Sequence, residues 1–270
     1  MKKTFDINRF WQVLKWTVLT EKKSIFTAVL AFLAAFLAIQ LFSCFTIFDL
    51  GRGLGPAVTY AGMVVCGVLL SIMTCYYACG ILGNAKTTQQ RCTALMLPAS
   101  NMEKFVARVL YCCILMPVLL YAACYAATGL RMLLEWVAGH DFIVSGLSFM
   151  NGDFVDNGPD MSTFFNIAMT CWNISLFALG GVFFHQRPFV WTTVTIVAVT
   201  IVLGTLFFYL GVMIGEDNLR NFFKNFKGMT FETFDLILSI VLTVFTVLNI
   251  WLSYRLFKGL QVVQHKWFNV

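Results

Sequence analysis

Six stretches of this chain contain no Asp, Glu, Lys or Arg: Ile25–Phe48, Pro56–Gly83, Val109–Leu130, Phe164–Phe184, Phe189–Ile214 and Leu236–Tyr254. Each is at or near the roughly 20 apolar residues that an α-helix needs to cross a bilayer. Only 12% of the 270 residues are charged, where a soluble domain usually carries about 25%. Mean hydropathy is +0.79. So little charge cannot clothe a water-soluble globule of this size, and lipid supplies the missing solvent. The expectation is an all-α polytopic membrane protein with six transmembrane helices, covering about 25–48, 56–83, 105–130, 164–184, 189–214 and 234–257.

The basic residues then sort by side. With both termini inside, 14 of the 19 Lys and Arg residues are cytoplasmic, including Lys2, Lys3, Arg9, Lys15, Lys22 and Lys23 at the start and Lys86, Arg91, Lys104 and Arg108 between the second and third spans. Ten of the 13 acidic residues fall outside. The opposite orientation violates the positive-inside bias at the first helix and the first loop. The net charge of +6 is thus a mark of sidedness, and no nucleic-acid partner is inferred from it.

Residues 1–24 form the next element. Ile7, Phe10, Trp11, Leu14 and Val18 recur at three- and four-residue steps, with Arg9, Gln12 and Lys15 largely opposite. This pattern predicts an amphipathic interfacial helix, serving either as a membrane-surface anchor or as a partner-binding element. Residues 25–257 are assigned to the six-span domain and 258–270 to a cytoplasmic tail.

Asn84–Leu110 is the longest polar interruption in the first half. Pro98 pushes its predecessor out of the helical region and ends whatever precedes it. Ser100-Asn-Met-Glu103 then matches a capping box, predicting a new helix that turns back into the membrane. A rigid cytoplasmic corner of this kind is a handle for a soluble partner. Further on, Pro117 predicts a kink within the third span.

The spans also carry polar faces. Ser239, Thr243, Thr246, Asn249 and Ser253 step along one side of the last helix, and Ser162, Asn166, Thr170 and Asn173 along the fourth. Hydroxyls and amides in lipid seek partners, so these faces point into a bundle, a dimer seam or a path, with helix packing the commonest cause. Outside, residues 139–163 predict a turn-rich acidic loop. Phe222, Phe223 and Phe226 among Arg220, Lys224 and Lys227 suit an amphipathic segment before the sixth span.

Catalytic signals are lacking. No charge lies within the six runs, which argues against proton-driven transport and intramembrane chemistry. His140, His185 and His265 fall on separate segments. Gly80 to Thr87 nearly spells a phosphate-binding loop, but Ala85 stands where glycine is required and no strand precedes it. Of the nine cysteines, none falls in an outer segment, so no disulfide is expected. No enzyme activity, metal or cofactor is assigned.

The arrangement resembles that of one known family. Six spans with inside termini, an amphipathic first helix, a basic corner and an amphipathic excursion before the last span resemble a bacterial ABC type-2 transporter permease. LMLPASNMEKFVARVL resembles the L-P-x-S-x-x-E-x-x-x-x-(K/R) stretch entering the third span in that family, at Leu97, Pro98, Ser100, Glu103 and Arg108. The resemblance implies a multi-pass subunit of the bacterial inner membrane, an exporter, paired as a homo- or heterodimer with a second permease subunit. Two copies of a separate ABC ATPase would dock at the corner, with Arg91, Leu97, Pro98, Ser100, Glu103, Lys104 and Arg108 as the coupling residues. The alternative is a non-transport membrane scaffold or assembly protein.

Overall fold

The computed structural model describes residues 6–50, 55–85, 96, 99–137, 163–184, 186–214 and 231–259. Its elements are α-helical throughout apart from two short departures. These are helices α1 (Ile7–Leu50), α2 (Gly55–Ala78), a 3₁₀ segment (Cys79–Ala85), α3 (Asn101–Val109), a π-helical segment (Leu110–Leu115), α4 (Met116–Val137), α5 (Thr163–Phe183), α6 (Pro188–Ile214) and α7 (Phe231–Lys258). Six helical stretches are long and apolar enough to cross a membrane: Ile7–Phe42, Val64–Leu82, Asn101–Leu133, Phe164–Phe183, Pro188–Tyr209 and Thr233–Lys258. The six expected spans and the all-helical class are therefore present. Residues 139–162 of the outer loop, the excursion around Phe222 and the tail beyond Gly259 lie outside the described residues.

The chain divides into two compact units. The first takes Met1–Tyr77 and Pro98–Gly158, the second Ala78–Leu97 and Pro159–Val270.

In the first unit, α1 is one helix of 44 residues. The separate interfacial helix ending near residue 24 is not found as an element of its own. The physical reason is local: Ile7–Leu50 contains neither Pro nor Gly, and the usual helix breakers are those two. Thr20 and Thr27 return their hydroxyls to the Trp16 and Lys23 carbonyls across the expected boundary. What changes near this boundary is the neighbour. Glu21 meets Arg108 and Gln40 meets Thr128, a separation of 19 residues on one helix and 20 on the other, so the two run side by side. Asp6 meets Glu103, 15 residues before Glu21 but only five before Arg108. The first four turns of α1 therefore cross α3 instead of following it.

The unit's apolar core joins Phe32 and Phe36 of α1, Cys66 and Leu70 of α2, and Leu120, Cys124 and Ala127 of α4. Phe32 and Phe36 meet edge to face with centroids 4.2 Å apart. Cys and Ala opposite them let the helices approach closely, the usual solution where lipid offers no hydrophobic drive for helix pairing.

Between α3 and α4 the helix widens. Met116 N–H donates to the Tyr111 carbonyl, five residues back. Pro117, the next residue, has no N–H to give, and its ring crowds the carbonyl four residues earlier. The expected perturbation at Pro117 is thus absorbed by a π-helical turn just before it.

In the second unit, the end of the second span tightens into the 3₁₀ segment, with Leu82 at φ −94°, ψ 17°. This segment packs on α5 so closely that a Cβ on Gly181 would lie 2.4 Å from the Cys79 carbonyl oxygen. The Cys79 thiol sits 3.2 Å from the Phe177 carbonyl. On the adjoining position, Gly180 faces the Thr192 side chain of α6. Arg187 makes the α5–α6 turn at φ 47°, and Pro188 opens α6 at the one position where a missing N–H costs nothing. Phe184 stacks on Trp191 and Phe177 on Phe189 across the same turn. Beyond it, Val197 to Tyr209 are exposed all round. The main pairing is α5 with α7, through Phe165, Ala168 and Leu242.

Candidate functional site

The corner is built around Glu103. Ser100, extended at φ −69°, ψ 153°, caps α3, and its hydroxyl accepts the Glu103 N–H at 3.2 Å. Glu103 Oε2 accepts the Ser100 N–H at 2.7 Å, so the expected capping box is complete. Lys104 N–H reaches the Ser100 carbonyl at 3.1 Å and begins the helix.

Glu103 does more than the sequence motif requires. Its other oxygen accepts the Asp6 N–H at 2.9 Å, and the Arg9 guanidinium lies 3.5 Å away. Asp6 is the residue at which α1 starts: its carboxylate accepts from Asn8 N–H and its carbonyl from Phe10 N–H. A single carboxylate with no exposed surface therefore closes the amino ends of two helices. Both ends carry partial positive charge from unsatisfied amides, and an anion is favourable at each. Around it Phe10, Val13 and Leu14 pack on Ala99 and Ala107. Part of the apolar face expected to lie on the membrane is thereby spent on protein.

A second contact runs the other way. Arg108 of α3 donates to Glu21 of α1 at 2.9 Å, with side chains 11% and 22% exposed. Tyr111, buried, also hydrogen-bonds Glu21. Each helix thus contributes one acid and one base to the junction. Ser100, Glu103 and Arg108 are brought together as the motif implied, with Lys104 half-buried beside them. Arg91, Leu97 and Pro98 lie outside the described residues. Asp6, Arg9 and Glu21 were missed as members of the site, because nothing local ties them to residues about ninety positions away.

The polar faces divide. On α7, Ser239 and Ser253 are buried, and the Asn249 amide donates to the Ser175 hydroxyl of α5 at 3.1 Å. Ser239, Thr243, Thr246 and Ser253 also return their hydroxyls to carbonyls of their own helix. On α5, Asn166 and Thr170 are exposed, Thr170 bonded to the Asn166 carbonyl and Asn173 to that of Met169. So Ser239, Asn249 and Ser253 serve the α5–α7 seam, whereas Asn166 and Thr170 face away from protein. Ser162 is outside the described residues.

Two charges that border the charge-free runs are buried. Arg131 and Asp235 sit one residue outside the charge-free runs, but α4 and α7 continue past those limits and bury them to 4% and 5% exposure. The stripe spacing was the available signal. Arg131 follows Leu120, Cys124, Ala127 and Thr128 on one face, and Asp235 stands four residues before Ser239. One turn before Arg131, Gln40 donates to Thr128 at 3.2 Å. Comparison of the chain with models of protein families, with curated proteins and with solved structures gives no match.

Proposed function

We propose that this chain is the transmembrane permease subunit of an ABC exporter in a bacterial inner membrane, driven by a separate ATPase that docks at the corner. The observation that supports this reading best is the double cap at Glu103. A coupling element must carry a push from a soluble motor into a membrane helix without yielding. At this corner the cap residue of α3, the start of α1 and a fully buried carboxylate are joined by three hydrogen bonds, and α3 runs on into the third span through an unbroken helical path. The ATPase would press on the outer side of this junction, and α1 and α3 would move together. The motif residues Leu97, Pro98, Ser100, Glu103 and Arg108 are those that the family resemblance singles out.

The topology belongs to the same proposal: both termini inside, because most basic residues then are. Reporter fusions at Gln89 and Gly152 are expected on opposite sides of the membrane. The decisive experiment is purification of the tagged chain with the ABC ATPase encoded beside it. Co-purification, with hydrolysis altered by Glu103→Ala, is the expected result. Failure of any ATPase to accompany the unmutated chain removes the permease reading and leaves the scaffold.

A further inference from the structure

The corner consumes one side of the first turns of α1 and leaves the other bare. Phe10, Val13, Leu14 and Thr17 face protein. Opposite them Ile7, Trp11 and Leu19 are 74%, 65% and 53% exposed, and Lys15, Lys22 and Lys23 are exposed between them. At 3.6 residues per turn these six side chains occupy an arc of about 160°. No acid shares the arc. Glu21 is turned to Arg108, and Asp6 sits at the helix start against Arg9 and Asn8. Along the helix, Phe26 and Leu30, 70% and 55% exposed, extend the same arc into the apolar run. The exposed apolar face of the span therefore continues without a break into the face carrying the lysines, on turns that cross α3 instead of following the span.

We propose that this face of α1 rests on the anionic phospholipid headgroups of the leaflet at the N-terminal end of the span. Trp11 and Leu19 lie at the boundary between headgroups and acyl chains, and the lysine stems reach along that layer to place their ammonium groups against phosphates. An acidic protein would satisfy the lysines, but it gives no account of a stripe continuous with Phe26 and Leu30. The inference stands apart from the permease reading and from the sidedness of the chain.

The test is hydrogen exchange of the full chain in nanodiscs of phosphatidylcholine alone and of phosphatidylcholine with phosphatidylglycerol. A lysine near an anionic surface contributes about fivefold in binding. Exchange over residues 7–24 is expected to slow in the anionic discs, by up to about a hundredfold for three lysines, and to recover in high salt. The triple variant Lys15→Gln, Lys22→Gln, Lys23→Gln is expected to lose this slowing, while peptides over 100–108 keep theirs and show the corner intact. Equal exchange in both lipids overturns the proposal. So does a lipid-dependent slowing that survives the triple substitution, or full protection in neutral discs when a soluble subunit co-purifies, which gives the face to protein.

Discussion

The two units solve one problem with different chemistry. In each, two helices running in the same direction form the main pair: α1 with α4 in the first, α5 with α7 in the second. The first unit's pair is set by ionised and amide side chains. Glu103, Arg9, Arg108 and Glu21 fix one end, and Gln40 with Thr128 fixes the other. The second unit's pairings rest on close approach and neutral groups: Gly180 and Gly181 against Thr192 and Cys79, and Asn249 against Ser175. Lipid is as apolar as leucine, so burial alone cannot tell a helix which neighbour to choose. Charges set the first unit's pairing at the start of α3, where hydrogen bonds to two helix ends offset the cost of burying Glu103. Beside the α5–α6 turn of the second unit, glycines and a hydroxyl give the same selectivity without ions.

Substitutions can break or sharpen this contrast, and the largest effect is expected in the glycine-based unit. Gly181→Val puts side-chain atoms where the Cys79 backbone already lies, and backbone cannot step aside. Overpacking of this kind costs about 3 kcal/mol or more, so thermal unfolding in detergent should show a large loss. Gly129→Ala in α4 meets nothing within 4 Å and is expected to be neutral or slightly stabilising, since alanine favours a helix by up to about 1 kcal/mol. Equal losses at the two glycines would end the contrast.

Next in size is Glu103→Ala. Removing one cap typically costs about 1 kcal/mol. This carboxylate closes two helices, so about 2 kcal/mol is expected, with faster hydrogen exchange at the first turns of both α1 and α3. Exchange confined to α3 would show that Glu103 is an ordinary capping-box residue. Smaller again is the Glu21–Arg108 pair, partly exposed and worth about 1 kcal/mol. Glu21→Arg and Arg108→Glu should each destabilise the protein, and the double exchange should recover most of the loss in a thermal double-mutant cycle. Smallest is Thr200→Val on α6. That hydroxyl is exposed and bonded only to the Ile196 carbonyl of its own helix, and a shift within about 0.5 kcal/mol is expected.

What the sequence revealed divides along the same line. The six helices were legible because charge-free length is a property of each segment alone. The Ser100–Glu103 box was legible because its partners are three residues apart, and a disturbance at Pro117 because proline acts on its own helix. The Asp6–Glu103 bond spans 97 residues, and no local pattern announces it. The unbroken α1 was obscured by its charges. Lys22 and Lys23 looked like a boundary, yet charge does not end a helix, and only a breaker would have. The burial of Arg131 and Asp235 was hidden for a related reason, because a run defined by lacking charge must stop before the charge that its own face would bury. Gly180 and Gly181 gave no sign of the Cys79 backbone lying against them.

The π-helical turn has one more consequence, visible in which positions are buried. Before it, Glu103, Ala107 and Tyr111 are buried at steps of four. Continued at that spacing, the series would fall on Leu115 and Leu119, which are only half-buried. Instead it resumes one residue late, at Cys112, Met116, Leu120, Cys124, Ala127 and Arg131. The turn thus stores one residue of phase, worth about 100° of rotation. Deleting Cys113 would remove that extra residue, and the rod would close into ordinary α-helix with Met116, Leu120 and Cys124 kept on the buried face. Closing the turn into α-helix without a deletion, once Pro117 is replaced, would instead swing Thr128 and Arg131 about a quarter of the way round, away from Gln40, with Glu103 still seated beneath α1. The π winding of this short segment, more than the identity of any side chain in it, sets which residues of the third span face the first.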